Sequence, residues 1–177
     1  MKKLIGILFV LLAVAFAPVL ALEPVWKHGT EEVVLSGSFV KNQATDHTDA
    51  DLTGSWLHYA TDSNQVGVVA SLTRREGGGG EGIGPAYIFN FPKLRKGNFF
   101  LGGSAEALTG EISDLAKVRA ASEFGYRLYV GDSSAFRVSM RLVKAINAES
   151  GDASDQIENI GLVLGFSTGI NQGAAIQ

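Results

Sequence analysis

The chain contains no cysteine, so it has no disulfide to staple it and no lipobox-type thiol to acylate. A zinc framework is missing as well: His28, His47 and His58 are the only histidines, and no two stand at ligand spacing. There is no surplus of basic charge. Without Lys2 and Lys3, 13 Lys+Arg face 18 Asp+Glu, a net charge of −5 that argues against nucleic acid as a partner. Beyond residue 21 no apolar run is long enough to cross a bilayer as a helix. If the rest of the chain enters a membrane, it must do so as a closed barrel.

The front of the chain has what the remainder lacks. A basic start, Met1-Lys2-Lys3, leads into an apolar run from Leu4 to Leu20, with small residues Val19 and Ala21 before the acidic Leu22-Glu23-Pro24. That pattern reads as a secretory signal peptide over 1–21, cleaved after Ala21. It leaves 22–177, or 156 residues, enough for one domain.

Within that domain the clearest signal lies between Leu115 and Ala145. Val118, Ala120, Ser122, Phe124, Tyr126, Leu128 and Val130 alternate with Arg119, Ala121, Glu123, Gly125, Arg127 and Tyr129. After Gly131-Asp132-Ser133-Ser134, Phe136, Val138, Met140 and Leu142 alternate with Arg137, Ser139, Arg141 and Val143. A period of two around a Gly/Asp/Ser cluster is a β-hairpin. A three-residue loop, Asp132 to Ser134, would pair Val130 with Phe136, Leu128 with Val138 and Gly125 with Arg141, leaving one face apolar.

Six further alternating runs are present. Glu31–Val40 sets Val33, Leu35 and Phe39 against Ser36 and Ser38; Gln65–Arg75 sets Val66, Val68, Ala70 and Leu72 against Gly67, Ser71 and Thr73. Gly82–Phe91, Asn98–Leu108 and Ile157–Ile170 behave likewise. Leu52–Ala60 is a strand whose parity is divided, Leu52 and Trp56 against Leu57 and Tyr59. The intervening stretches 41–51, 76–81 with its four glycines, 109–114 and 146–156 read as loops, and 61–64, 92–97 and 131–134 as shorter turns. Eight strands near ten residues, with long loops and short turns in alternation, describe an eight-stranded antiparallel up-and-down transmembrane β-barrel.

The facing decides between a membrane barrel and a soluble lipocalin-like one binding a small apolar ligand. Outward apolar rows would expose a large patch in water and cost nothing in lipid. Inward, Glu106, Arg119, Glu123, Arg127, Arg137 and Arg141 would form a charge network filling the lumen, Arg127 pairing with Glu123 or Glu106. Gly67, Gly84, Gly102, Gly125, Gly161 and Gly165 would give the arginines room.

The run Asn159-Ile160-Gly161-Leu162-Val163-Leu164-Gly165-Phe166 looks like the C-terminal assembly signal of bacterial outer-membrane barrels, matched at Asn159, Gly161, Leu164 and Phe166. Members of that group commonly end on the aromatic residue, whereas this chain continues from Ser167 to Gln177. The whole of 22–177 resembles the small outer-membrane β-barrel family of OmpA/OmpX-type and opacity-type proteins. The resemblance implies a porin-like barrel of the Gram-negative cell envelope, monomeric and without cofactor. It also implies recognition by the barrel-assembly machinery and contact with outer-membrane lipid and lipopolysaccharide.

Chemistry beyond that has little support. His47 sits with Asp46, Asp49 and Asp51, where a solvated loop is a better reading than a cation site. Gly77–Gly80 is not followed by the Lys-Ser/Thr pair and helix of a phosphate loop. Some barrels of this size are lipid-modifying enzymes, but His58-Tyr59-Ala60 lacks the serine of the deacylase pattern. His47 likewise has no Asp-Ser partner on its own side, since Asp62-Ser63 falls at the other end. The expectation is a non-enzymatic barrel contributing to envelope structure or a surface contact, with a lipid enzyme or a narrow pore as the alternatives.

Overall fold

The computed structural model describes residues 26–42, 47–75, 78–94, 96–114, 116–146 and 159–170. The strands are β1 (Glu31–Asn42), β2 (His47–Tyr59), β3 (Asn64–Arg75), β4 (Gly78–Asn90), β5 (Gly97–Gly110), β6 (Val118–Tyr129), β7 (Ser134–Ile146) and β8 (Asn159–Ile170). Each pairs antiparallel with the next and β8 returns to β1, closing an all-β, up-and-down barrel. Closure gives every strand a neighbour on both sides, so backbone polar groups are satisfied within the wall along the paired lengths. No helix among the described residues is long and apolar enough to cross a membrane.

The side-chain alternation turns the barrel inside out relative to a soluble one. Leu35, Trp56, Leu72, Ile83, Leu101, Phe124, Met140 and Ile160 are all exposed on the outer wall, Ile160 at 64%. Arg119, Arg127, Glu32 and Glu106 are buried to 1% or less. The parity divided on β2 resolves with Leu52 and Trp56 outward and Leu57 and Tyr59 inward. Both sides are apolar there because the lumen has apolar storeys of its own.

Three such storeys are present. Trp26, Tyr59, Tyr129 and Ala135 fill the mouth where β1 begins and β8 ends, hereafter the terminal end. Val34, Leu57, Ile88 and Phe100 form the middle layer, and Leu108, Ile112, Ala116, Ala121 and Val143 the opposite, distal end.

Several connections differ from the sequence reading. The β6–β7 hairpin pairs Leu128 with Phe136, Tyr126 with Val138, Gly125 with Ser139 and Glu123 with Arg141, two residues away from the expected register. The Val130 N–H donates to the Ser134 carbonyl, so the loop is longer than three residues. This register sets Tyr129 opposite Ala135, both buried in the mouth. A two-residue shift preserves facing, which is why every inward and outward assignment on this hairpin still holds.

At the distal end the strands run further than hydrophobicity suggests. β1 and β2 leave only 43–46 between them, and β4 starts at Gly78, inside the glycine run. Gly78, Gly79 and Gly80 are strand, not connection. A Cβ at Gly80 would strike the Ile112 side chain, and one at Gly82 would lie 2.7 Å from Ser71 Oγ and 2.9 Å from Glu106 Oε2. The stretch 109–114 likewise ends β5 and forms a 3₁₀ turn, Glu111–Asp114, whose Ile112 folds over the distal mouth. The contrast of long loops with short turns is therefore weaker than read: 43–46 and 76–77 are no longer than 60–63 or 91–96.

Candidate functional site: the charged lumen

Between the apolar storeys lie two ionic ones. The distal storey is centred on Glu106 of β5. Its Oε2 accepts from Arg119 Nη2 at 2.9 Å and Nε at 3.2 Å and from Ser71 Oγ; its Oε1 accepts from Arg141 Nη2 at 2.7 Å and Ser104 Oγ at 3.1 Å. Arg119 also donates to Thr73 Oγ1 at 2.9 Å, Thr73 donates to Asp51, and Arg141 donates to Thr53 at 3.0 Å. A buried carboxylate holding two arginines, with hydroxyls on the remaining lone pairs, is the arrangement that makes buried charge tolerable.

The terminal-end storey is centred on Glu32 of β1. Arg127 Nη2 donates to Glu32 Oε2 at 2.9 Å, and Arg127 Nη1 donates to the Tyr59 hydroxyl at 2.7 Å and to Asn90 Oδ1 at 3.1 Å. An amide relay completes it: Tyr129 donates to Asn98, Asn98 to Asn90, Asn90 to Gln65, and Gln65 to Glu32 Oε2 at 2.6 Å. Arg137 approaches Glu32 Oε1 at 3.8 Å and lies 4.2 Å from the Phe100 ring centroid. Glu123 stands between the storeys, accepting from Ser139 at 2.6 Å.

Of the six charges expected in the lumen, the structure thus unites Glu106, Arg119 and Arg141 and brings Arg127 together with Arg137. The expected partners of Arg127 are wrong: it pairs with Glu32, because β1 lies beside β8 in the closed wall and projects Glu32 toward β6. Arg141 faces Glu123 rather than Gly125. Glu32 and Asp51 were missed. Both carried a signal, since Glu32 shares the parity of Ser36 and Ser38, and Asp51 that of Thr53. Counting them, four carboxylates (Glu32, Asp51, Glu106, Glu123) oppose four arginines (Arg119, Arg127, Arg137, Arg141) among the described side chains. Gly161 and Gly165 stand directly opposite Arg141 and Arg137, but the role expected for Gly67, Gly84 and Gly125 needs the same correction. A Cβ at Gly67 or Gly84 would strike the neighbouring strand's backbone, and at Gly125 it would meet Ser139 and Phe100, not an arginine.

On β8, Gly161 is buried and Leu164 and Phe166 are exposed on the outer wall; Asn159 is described by its backbone alone. The strand runs past Phe166 to Ile170, which pairs with Glu31. The tail 171–177, the segment 1–25 and the His47 and Asp46 side chains lie outside the described residues.

A cavity of about 40 Å³ lies in the lumen beside Ser36, Ser55, Glu123 and Arg137, room for a few waters. No group of three His, Asp or Glu fit to hold a metal ion occurs among the described residues. His28 Nδ1 lies 2.8 Å from the Ala60 carbonyl oxygen, so the ring is engaged with backbone rather than with a nucleophile.

No protein-family model matches the chain, and the sequence of no curated protein matches it. Solved structures do. A de novo designed transmembrane β-barrel superposes with a TM-score of 0.59 at 11% identity, covering 81% of this chain and 98% of that one. The N-terminal β-barrel domain of Pseudomonas aeruginosa OprF gives 0.56 at 10%, covering 81% and 99%. Neisserial surface protein A gives 0.50 at 8%, covering 78% and 94%. These likenesses agree with the resemblance read from the sequence to small outer-membrane barrels of eight strands. At such identities what is shared is the fold.

Proposed function

We propose that this chain is a non-enzymatic barrel of the bacterial outer membrane, exported by a signal peptide over 1–21 and contributing to envelope structure or a surface contact. One observation carries the reading: all eight strands present exposed apolar side chains outward, while Glu32, Glu106, Arg119, Arg127 and Arg137 are buried inside. In water that belt would be a liability on every side; in a bilayer it is the required surface. The likeness to a designed transmembrane barrel, to the OprF barrel domain and to a Neisserial surface protein supports it. The two ionic storeys and the capped mouths favour a plug over a pore, since an eight-stranded barrel is filled by its own side chains. The barrel works as a monomer, with outer-membrane lipid and lipopolysaccharide as its surroundings and the barrel-assembly machinery as its route in.

The test is refolding into phospholipid vesicles, followed by planar-bilayer conductance and a phospholipid-release assay. Insertion with β circular dichroism, no steady conductance and no released lipid is the expected result. Steady channels would favour the narrow pore, released fatty acid the lipid enzyme, and a water-soluble folded monomer would overturn the membrane reading.

A further inference from the structure

Residues 26–30, just before β1, turn back across the terminal mouth. Gly29, at φ +83°, makes the turn in a conformation that favours glycine. Its N–H donates to the Tyr59 carbonyl, and the Tyr59 N–H donates to the Thr30 carbonyl, both at 2.9 Å. His28 N–H adds a bond to Asp62 Oδ1 at 2.9 Å. This anchored strap delivers the Trp26 indole into the mouth, where it is 2% exposed.

Trp26 there touches strands from both sides of the closure seam. Its ring meets Tyr129 of β6 edge-on at 5.3 Å and Tyr59 of β2 at 6.4 Å, and the Arg127 guanidinium lies 4.6 Å from its centroid. Ala135 of β7 packs in the same cluster, and on β8 a Cβ at Gly169 would lie 2.7 Å from Trp26 Nε1. The indole thus spans from β2, next to β1, round to β8. The β1–β8 ladder that it bridges runs only from Glu31↔Ile170 to Ser38↔Val163, while β1 pairs with β2 along its whole length to Asn42↔His47. The seam is fastened at the terminal end, and the strap sits there.

We infer that the strap Trp26–Thr30 is a lock for the β1–β8 seam, Trp26 seating once β8 has met β1 and holding that joint shut. Seating needs a finished mouth, because its walls come from β2, β6, β7 and β8. Withdrawal frees the first residues of β1 and opens the Arg127–Glu32 pair to solvent. Aromatic packing, an apposed cation and a cavity shaped by glycine together make a specific socket.

The chain's two tryptophans permit a clean test, since Trp56 is outside the barrel and 58% exposed. In the Trp56→Phe protein, folded in vesicles, Trp26 should emit at short wavelength and resist acrylamide. Trp26→Ala should raise hydrogen exchange at Glu31–Ser38 on the order of tenfold or more while β3–β5 amides stay protected. Because Trp26→Ala can simply weaken folding everywhere, a second variant joins β1 to β8 by a disulfide between cysteines at Leu35 and Phe166, direct partners across the seam. In that background Trp26→Ala should leave the Glu31–Ser38 amides protected. Uniform loss of protection across all strands, or unchanged seam exchange with Trp26 gone, overturns the lock. The membrane reading would stand in either case, because it is judged by vesicle insertion and circular dichroism.

Discussion

Arg127 and Arg137 are direct cross-strand partners on β6 and β7, and both point into the barrel. Like charges opposite one another oppose pairing. Here they separate. Arg127 takes Glu32, Tyr59, Asn90 and the Trp26 face, while Arg137 lies over Phe100 and reaches Glu32 only at 3.8 Å. One carboxylate from β1 reconciles two arginines on strands across the lumen.

Removing that carboxylate should therefore be costly. Glu32→Ala strands two buried guanidinium groups, a loss on the order of 3–5 kcal/mol. Arg127→Leu should cost a similar amount, since it leaves Glu32, Asn90 and Tyr59 short of a donor. Arg137→Leu should cost far less, because it removes the like-charge contact and leaves the 2.9 Å Arg127–Glu32 bond intact. The double change Glu32→Leu with Arg127→Leu should cost less than the sum of the single losses, because only Arg137 is then left without Glu32. Urea titration in lipid vesicles ranks all four.

The two faces of one strand should answer oppositely to charge. Met140, 60% exposed on the outer wall, lies next to Arg141, whose Nη2 is 2.7 Å from Glu106. Met140→Arg should cost roughly 2–4 kcal/mol near the bilayer midplane. Met140→Leu should be near neutral. A silent Met140→Arg in vesicles would mean that the outer belt does not meet lipid.

How far this was legible from residues alone is clearest on β2. Leu52 and Trp56 face outward and Leu57 and Tyr59 face apolar storeys in the lumen, so alternation of apolar with polar is blurred where both sides are apolar. On β6 and β7, where the lumen is charged, the same rule placed every side chain on its face. Distal strand ends escaped notice because they stand above the apolar belt: Asp51 and Gly78–Glu81 carry no outward hydrophobe, yet ladder bonds continue through them. The pairing of Glu32 with Arg127 joins residues 95 positions apart, a consequence of closure that no local pattern contains.

Register is open to a direct chemical test. The cysteine-free background makes engineered pairs unambiguous. Cysteines at Leu128 and Phe136 are directly opposed, and such partners have Cα atoms roughly 4.5–5.5 Å apart, within disulfide reach. Cysteines at Leu128 and Val138 belong to the register two residues away. Mild oxidation in vesicles should cross-link the first pair and not the second.

Export and orientation can be checked on cells. If the signal is removed after Ala21, N-terminal sequencing of the membrane-extracted protein should begin at Leu22. Strands β1 and β8 enter and leave at one end, so Trp26 and Ile170 share it with the turns 60–63, 91–96 and 130–133. Outer-membrane barrels keep that end in the periplasm. A small epitope within 76–77 should then be labelled on intact cells, and one within Lys93–Lys96 only after permeabilisation. On the outer wall, Trp56 donates to Glu31 at 2.9 Å and Tyr87 to Asn64 at 2.6 Å, tethering amphipathic rings at the terminal-end rim. Labelling of Lys93–Lys96 on intact cells, with 76–77 protected, would invert the barrel and put the Trp26 strap on the outside.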